Sequence, residues 1–277
     1  MCPIILLGLQ IKQDFEGTCP KHVQNLAIFK TKTVNSKSSI KATVQITTKI
    51  IINIYQMGEF ILMEGTSGTG KDTQAKLLAD RIVEGNGNSY CPPVTIFHDS
   101  DPFMKRYRNN YENYASLLGE DRKIGLLSMV SAILTNRELA TKEVILPNLR
   151  IGSTIVSNRG ILSTLVYQYR DNYPELSEKI IDSHDEFGYP NPNGILLYSA
   201  DSDMAMQRIT RRGEQLGVNE NPEKLKEHSK RFLKMADFYL NYKANQGVNI
   251  PLEIIDAGLS IDEVSERTWR AFRNWTN

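Results

Sequence analysis

The chain is short of the residues on which redox, metal-cluster and membrane functions are built. Its three cysteines, Cys2, Cys19 and Cys91, are odd in number and far apart, which argues against a disulfide framework and suits reduced, inert thiols. The four histidines, His22, His98, His184 and His228, show no metal-ligand spacing. No run approaches the roughly 20 apolar residues that span a bilayer, and Pro3 to Leu9 is too short, and lacks the basic leader, for a signal peptide. Charge of one sign is missing as well: 33 Lys and Arg face 32 Asp and Glu, a net charge of +1. No global field therefore points to nucleic acid or to a membrane surface, and a cytoplasmic protein with neither partner is expected. Any anion binding must be local.

What is present is an ordinary globular composition, 40% hydrophobic over 277 residues, enough for one large domain or two small ones. Residues 1–56 stand apart. Lys, Thr, Ser, Asn and Ile dominate from Lys30 to Ile54 and no helical period is sustained, so this stretch reads as a disordered or non-native extension, with Met57 as the expected physiological start. Residues 57–277 read as one domain. Short apolar runs at Phe60 to Met63, Val94 to Phe97, Thr154 to Ser157, Ile195 to Tyr198 and Leu252 to Ile255 fit buried parallel strands. Helical spacing fills the intervals: Lys71 to Val83, Lys123 to Arg150, Ile161 to Tyr169, Leu176 to His184, Asp203 to Arg211, Pro222 to Lys243 and Ile261 to Trp275. The alternation predicts one doubly wound α/β domain, a five-stranded parallel sheet with helices on both faces.

The run Gly65-Thr66-Ser67-Gly68-Thr69-Gly70-Lys71 follows an apolar strand and opens a helix. That context gives the pattern G-x-x-x-x-G-K its mechanism. Glycines let the backbone turn its amides inward, the helix adds its positive end, and the Lys71 ammonium can bridge two phosphates. After the lysine, where Ser or Thr commonly binds Mg²⁺, this chain has Asp72 and then Thr73. A carboxylate beside phosphates needs a cation between them, so Asp72 is expected to ligate or orient Mg²⁺ that accompanies ATP.

Arg159, just after a strand, is expected beside the phosphate loop at the crevice where open α/β sheets bind ligands, holding an acceptor phosphate bidentately. Arg208, Arg211 and Arg212 close one helix before the polar stretch Gly213 to Pro222. Arginines on such a lid can neutralise a phosphoryl group in transfer while water is excluded.

Over nearly all of residues 57–277 the chain resembles the thymidylate kinases. The resemblance rests on Glu64-Gly-Thr-Ser-Gly-Thr-Gly-Lys-Asp-Thr-Gln74 and Ser157-Asn-Arg-Gly-Ile-Leu-Ser-Thr-Leu-Val-Tyr-Gln168, with Arg137 standing 22 residues before Arg159. Ile255-Asp-Ala-Gly258 followed by Ile261-Asp-Glu-Val264 is similar to the family's adenine-side loop and last helix. The resemblance implies an α/β, three-layer P-loop kinase fold with a short lid, in which Asp101 after the second strand holds Mg²⁺ or its waters and Phe103 walls the acceptor pocket. It implies too that Arg137 reaches the acceptor nucleotide, that Thr164 and Gln168 hydrogen-bond its base or backbone, and that the protein forms a homodimer. Three positions depart from the family pattern: Ser67 stands where an Asp contacts the deoxyribose, Asn158 replaces the Asp before the arginine, and Ile133 occupies the place of an aromatic that stacks on the base. Serine and asparagine still offer acceptors and an aliphatic face can pack on a base. The expected activity is ATP-dependent phosphorylation of a nucleoside monophosphate, dTMP first. The alternatives are a kinase for another nucleoside or nucleotide acceptor and a nucleotide-binding regulatory module.

Overall fold

The computed structural model describes residues 58–85, 92–97, 122–169, 174–213, 216–217 and 219–276. Five strands, β1 (Phe60–Gly65), β2 (Val94–Phe97), β3 (Ile155–Asn158), β4 (Gly194–Ser199) and β5 (Leu252–Asp256), form one sheet in the order β2-β3-β1-β4-β5. Every pairing is parallel. Each expected strand is present. The helices are α1 (Lys71–Gly85), α2 (Arg122–Ala140), α3 (Leu146–Arg150), α4 (Ile161–Gln168), α5 (Glu175–Glu186), α6 (Ser202–Arg211), α7 (Pro222–Asn245) and α8 (Ile261–Thr276).

Alternation along a strand explains the three layers. Phe60 and Leu62 of β1 point to one face, into a core shared with Leu126 and Val130 of α2, Leu165 of α4, Ile180 of α5 and Phe232 of α7. Ile61 and Met63 point to the other, where Ala75, Leu78 and Ile82 of α1 meet Val264 and Phe272 of α8. The central strand is buried along its whole length. β2 and β5, at the two edges, are less buried than their apolar runs suggested; on β5 only Ile255 is fully enclosed, because an edge strand has a neighbour on one side alone.

Three helices open on side-chain caps. Asp201 accepts from the amides of Asp203 and Met204 to start α6. Ser260 and Glu263 form the reciprocal capping box of α8, and Asn221 with Pro222 opens α7. The expected single helix from Lys123 to Arg150 is instead interrupted. Thr141–Ile145 forms a π turn between α2 and α3. Pro147 supplies the reason: inside a regular helix its ring would press on the carbonyl of Glu143, and widening the preceding turn relieves the clash.

Candidate functional site

The central strand β1 ends in the phosphate loop. Gly65, Gly68 and Gly70 have φ of 139°, 81° and 81°, conformations that a side chain disfavours. At two of them space is closed too: a Cβ on Gly65 would lie 2.3 Å from the Tyr198 carbonyl oxygen, and one on Gly68 would lie 2.4 Å from that of Ala205. The loop thus presses its backbone against the end of β4 and against α6. Lys71, only 4% exposed, turns its Nζ back over the loop, donating to the Thr66 carbonyl at 2.5 Å and to Thr69 Oγ1 at 3.1 Å. Thr69 Oγ1 also donates to the Thr66 carbonyl, at 3.0 Å. Ser67 is half-buried and Thr73 is exposed. These parts make a basic, amide-lined turn at a helix N-terminus, the arrangement that binds polyphosphate.

Beside β1 lies β3, and the chain leaves it through Arg159. Its amide donates to the Met63 carbonyl at 2.9 Å, which puts the residue next to the start of the phosphate loop. Arg159 is the one non-glycine with positive φ among the described residues, at 73°. Such a backbone persists only where its surroundings hold it, and it gathers at functional sites. The guanidinium lies over the Tyr167 ring, 5.5 Å from its centroid, and donates to the Tyr167 hydroxyl at 3.3 Å.

Arg137 arrives from α2 and is 5% exposed. Its Nε donates to Thr164 Oγ1 at 3.1 Å, while one terminal nitrogen is buried with no hydrogen-bond partner. A buried guanidinium with an unused donor is prepared for an anion. Thr164, 3% exposed, therefore braces Arg137. Ile133, half-buried one helical turn earlier, shares the face of Arg137, and Gln168 is half-buried at the end of α4. Arg137 and Arg159 thus meet the same short helix, which carries Thr164 and Tyr167.

One functional residue escaped the sequence reading. Glu64, the residue before Gly65, is fully buried and accepts from the Ser163 hydroxyl at 2.5 Å and the Ser163 amide at 3.3 Å. Burial pushes its carboxyl upward in pKa, and the Ser163 hydrogen bonds together with the positive charges of Arg137 and Arg159 pull the other way. Burial prevails and the carboxyl stands above its ordinary value, within electrostatic reach of both arginines. The available signal was a carboxylate ending a strand otherwise wholly apolar. Behind Arg137, His184 is 1% exposed. Its Nδ1–H donates to the Ile180 carbonyl at 2.7 Å, so the buried, unpartnered Nε2 carries no proton, and burial first, then Arg137, lowers its pKa to about 3.

At the metal side, the Asn158 amide donates to Asp72 Oδ1, joining the end of β3 to the start of α1. Asn158 is 5% exposed, and its Oδ1 is buried without a partner. A carboxylate and an unused amide oxygen beside the phosphate loop fit a hard cation such as Mg²⁺, which takes one or two protein oxygens and completes its shell with phosphate and water. Among the described residues no three His, Cys, Asp or Glu gather as an all-protein metal cage. Asp101 and Phe103 lie outside the described residues. At the expected lid, Arg208 donates to the Ala257 carbonyl at 2.8 Å, so it holds the loop after β5. Arg211 and Arg212 are exposed at the end of α6.

The family profile described as thymidylate kinase matches residues 63–267. The chain is 25% identical over 217 residues to a probable thymidylate kinase of Archaeoglobus fulgidus, covering 78% of this chain and 96% of the relative. It is 26% identical over 219 residues to a probable thymidylate kinase of Pyrococcus abyssi, covering 76% and 93%. Among solved structures, a thymidylate kinase from Ehrlichia chaffeensis superimposes with a TM-score of 0.52 at 19% identity, over 78% of this chain and 99% of that one, a likeness of fold.

Proposed function

The chain belongs to the thymidylate kinase family, whose reaction is ATP-dependent phosphorylation of dTMP to dTDP, and from that premise we propose how its own residues carry the transfer. The observation that supports the reading is the adjacency of two phosphate sites. The loop after β1 and Arg159 after β3 are joined by the backbone bond from Arg159 to Met63, so a donor phosphate on one lies next to an acceptor phosphate on the other.

Lys71 and the loop amides hold the β- and γ-phosphates of ATP. Arg159 and the unused nitrogen of Arg137 hold the acceptor phosphate, with Tyr167 and Thr164 fixing the direction of the two guanidinium groups. The acceptor oxygen attacks the γ-phosphorus, the bond to the β-phosphate oxygen breaks, and ADP leaves. A phosphate monoester has its second pKa at about 6, so the nucleophile is already ionised at neutral pH and no general base is required. Catalysis is positioning and charge. Arg211 and Arg212 supply positive charge to the phosphoryl group in flight, and Arg208 supports the adenine-side loop. Bound Mg²⁺ would neutralise the β- and γ-oxygens, with Asp72 as its protein partner. A homodimer, a cytoplasmic location and residues 57–277 as the functional unit belong to the same proposal, on the strength of the resemblance.

The test is ADP formation by the full chain with ATP and Mg²⁺ against dTMP, dUMP, dCMP, AMP, GMP and thymidine. Turnover with dTMP is the expected result. A preference for another acceptor would assign Ser67, Ile133 and Asn158 to altered selectivity, and ATP binding without turnover on any acceptor would overturn the kinase reading.

A further inference from the structure

Two residues from distant parts of the sequence, Asp72 and Asn158, meet at the start of α1 and the end of β3. The contact is directional. Because the Asn158 amide nitrogen donates to Asp72, its oxygen must point elsewhere, and that oxygen is buried and unsatisfied. An enclosed acceptor without a partner is costly, and a native fold retains one where something fills it. Asp72 presents the complementary problem. Its side chain is exposed and stands directly after the phosphate-binding lysine, where the general phosphate loop carries a neutral hydroxyl. A carboxylate there repels the polyphosphate unless a cation intervenes.

We propose that Asp72 and Asn158 form one divided Mg²⁺ site, in which Asp72 supplies the negative charge and Asn158 aims it and gives its free oxygen to the metal or to a metal-bound water. The inference rests on the kinase reading above and deepens it. The pair carries a single charge, and its position within the pair is exchangeable: the same hydrogen bond forms if the carboxylate sits at 158 and the amide at 72.

The experiment uses the full chain and a non-hydrolysable ATP analogue, with affinity measured calorimetrically in the presence and absence of Mg²⁺ and with Mn²⁺ coordination followed by electron paramagnetic resonance. The Asp72→Asn variant is expected to lose the Mg²⁺-dependent part of affinity by on the order of tenfold, one charge-assisted contact, while metal-free affinity stays level or rises. The exchange variant Asp72→Asn with Asn158→Asp is expected to recover most of that loss and restore the Mn²⁺ spectrum. A second route, Asp72→Ser rescued by Asn158→Asp, covers the case in which the exchange variant melts early. Equal weakening with and without metal, or strictly additive losses in both double variants, would overturn the divided site. Failure of the unaltered chain to bind the analogue at all would instead strike the kinase reading beneath it.

Discussion

The donor and acceptor halves of the cleft are built on opposite principles. On the donor side the backbone is the instrument: three glycines with positive φ shape the loop, and Lys71 makes its contacts to Thr66 and Thr69, within five residues of itself. On the acceptor side the instruments are side chains drawn from far apart. Arg137 meets Thr164 across 27 residues, and Glu64 meets Ser163 across 99. The donor device is one contiguous string, Gly65 to Lys71. Departures from the family pattern fall in both halves: Ser67 and Asp72 in and beside the loop, Ile133 on the acceptor side, and Asn158 where β3 meets α1.

The comparison can be broken at four places. Lys71→Ala should cut kcat by about 10²–10³-fold, the usual effect of removing one preorganised positive donor from a charge-developing site; a rate near the unaltered protein's would mean the loop amides suffice. Arg159→Lys keeps the charge and loses the planar fork, so the KM for dTMP should rise about tenfold or more while the KM for ATP stays put. Parallel rises in both would show that the halves are not separable. Glu64→Gln preserves shape and removes the ionisable carboxyl that accepts from Ser163: a urea titration should register a loss of about 1–3 kcal/mol and steady-state kinetics a higher dTMP KM, whereas lost stability with an unchanged KM would reduce Glu64 to a structural contact.

The smallest effect concerns pH. His184 is neutral in the fold, with its pKa lowered to about 3, and takes up a proton on unfolding below its ordinary value near 6.5. Its folded pKa is the lower one, so its contribution to stability is complete above about pH 6.5 and falls as pH drops below it, by at most ~1.4 kcal/mol per unit. His184→Gln should flatten the decline in urea midpoint between pH 6.5 and 5.5. An unchanged slope would place the acid sensitivity elsewhere.

The sheet and its flanking helices were legible because buried parallel strands and amphipathic helices leave periodic marks that need no knowledge of partners. The loop was legible for the same reason, its chemistry being contiguous from Gly65 to Asp72. The break after α2 was not, since Val144-Ile-Leu-Pro147 keeps an apolar period through the turn that Pro147 distorts. Arg159 was legible from its place just after a strand, Arg137 only through its spacing from Arg159 and the resemblance, and the contact of Thr164 with Arg137 was not foreseen beside the bond to the acceptor's base or backbone expected of it. Glu64 was the deepest omission. A carboxylate at the end of an apolar run looks like the strand's polar stop until the fold sets Ser163 and two arginines around it.

The left-handed backbone at Arg159 has a consequence for how this position can change over time. Two demands coincide there, a conformation that glycine would adopt without cost and a charge that glycine lacks. Relaxing the backbone forfeits the anion site, and most replacements that keep a side chain inherit a penalty of about 1–2 kcal/mol with nothing returned for it. Lysine would keep the charge at the same backbone cost but lose the planar fork, so arginine is retained by its chemistry against the backbone's own preference, and drift in acceptor preference has to proceed around a fixed point.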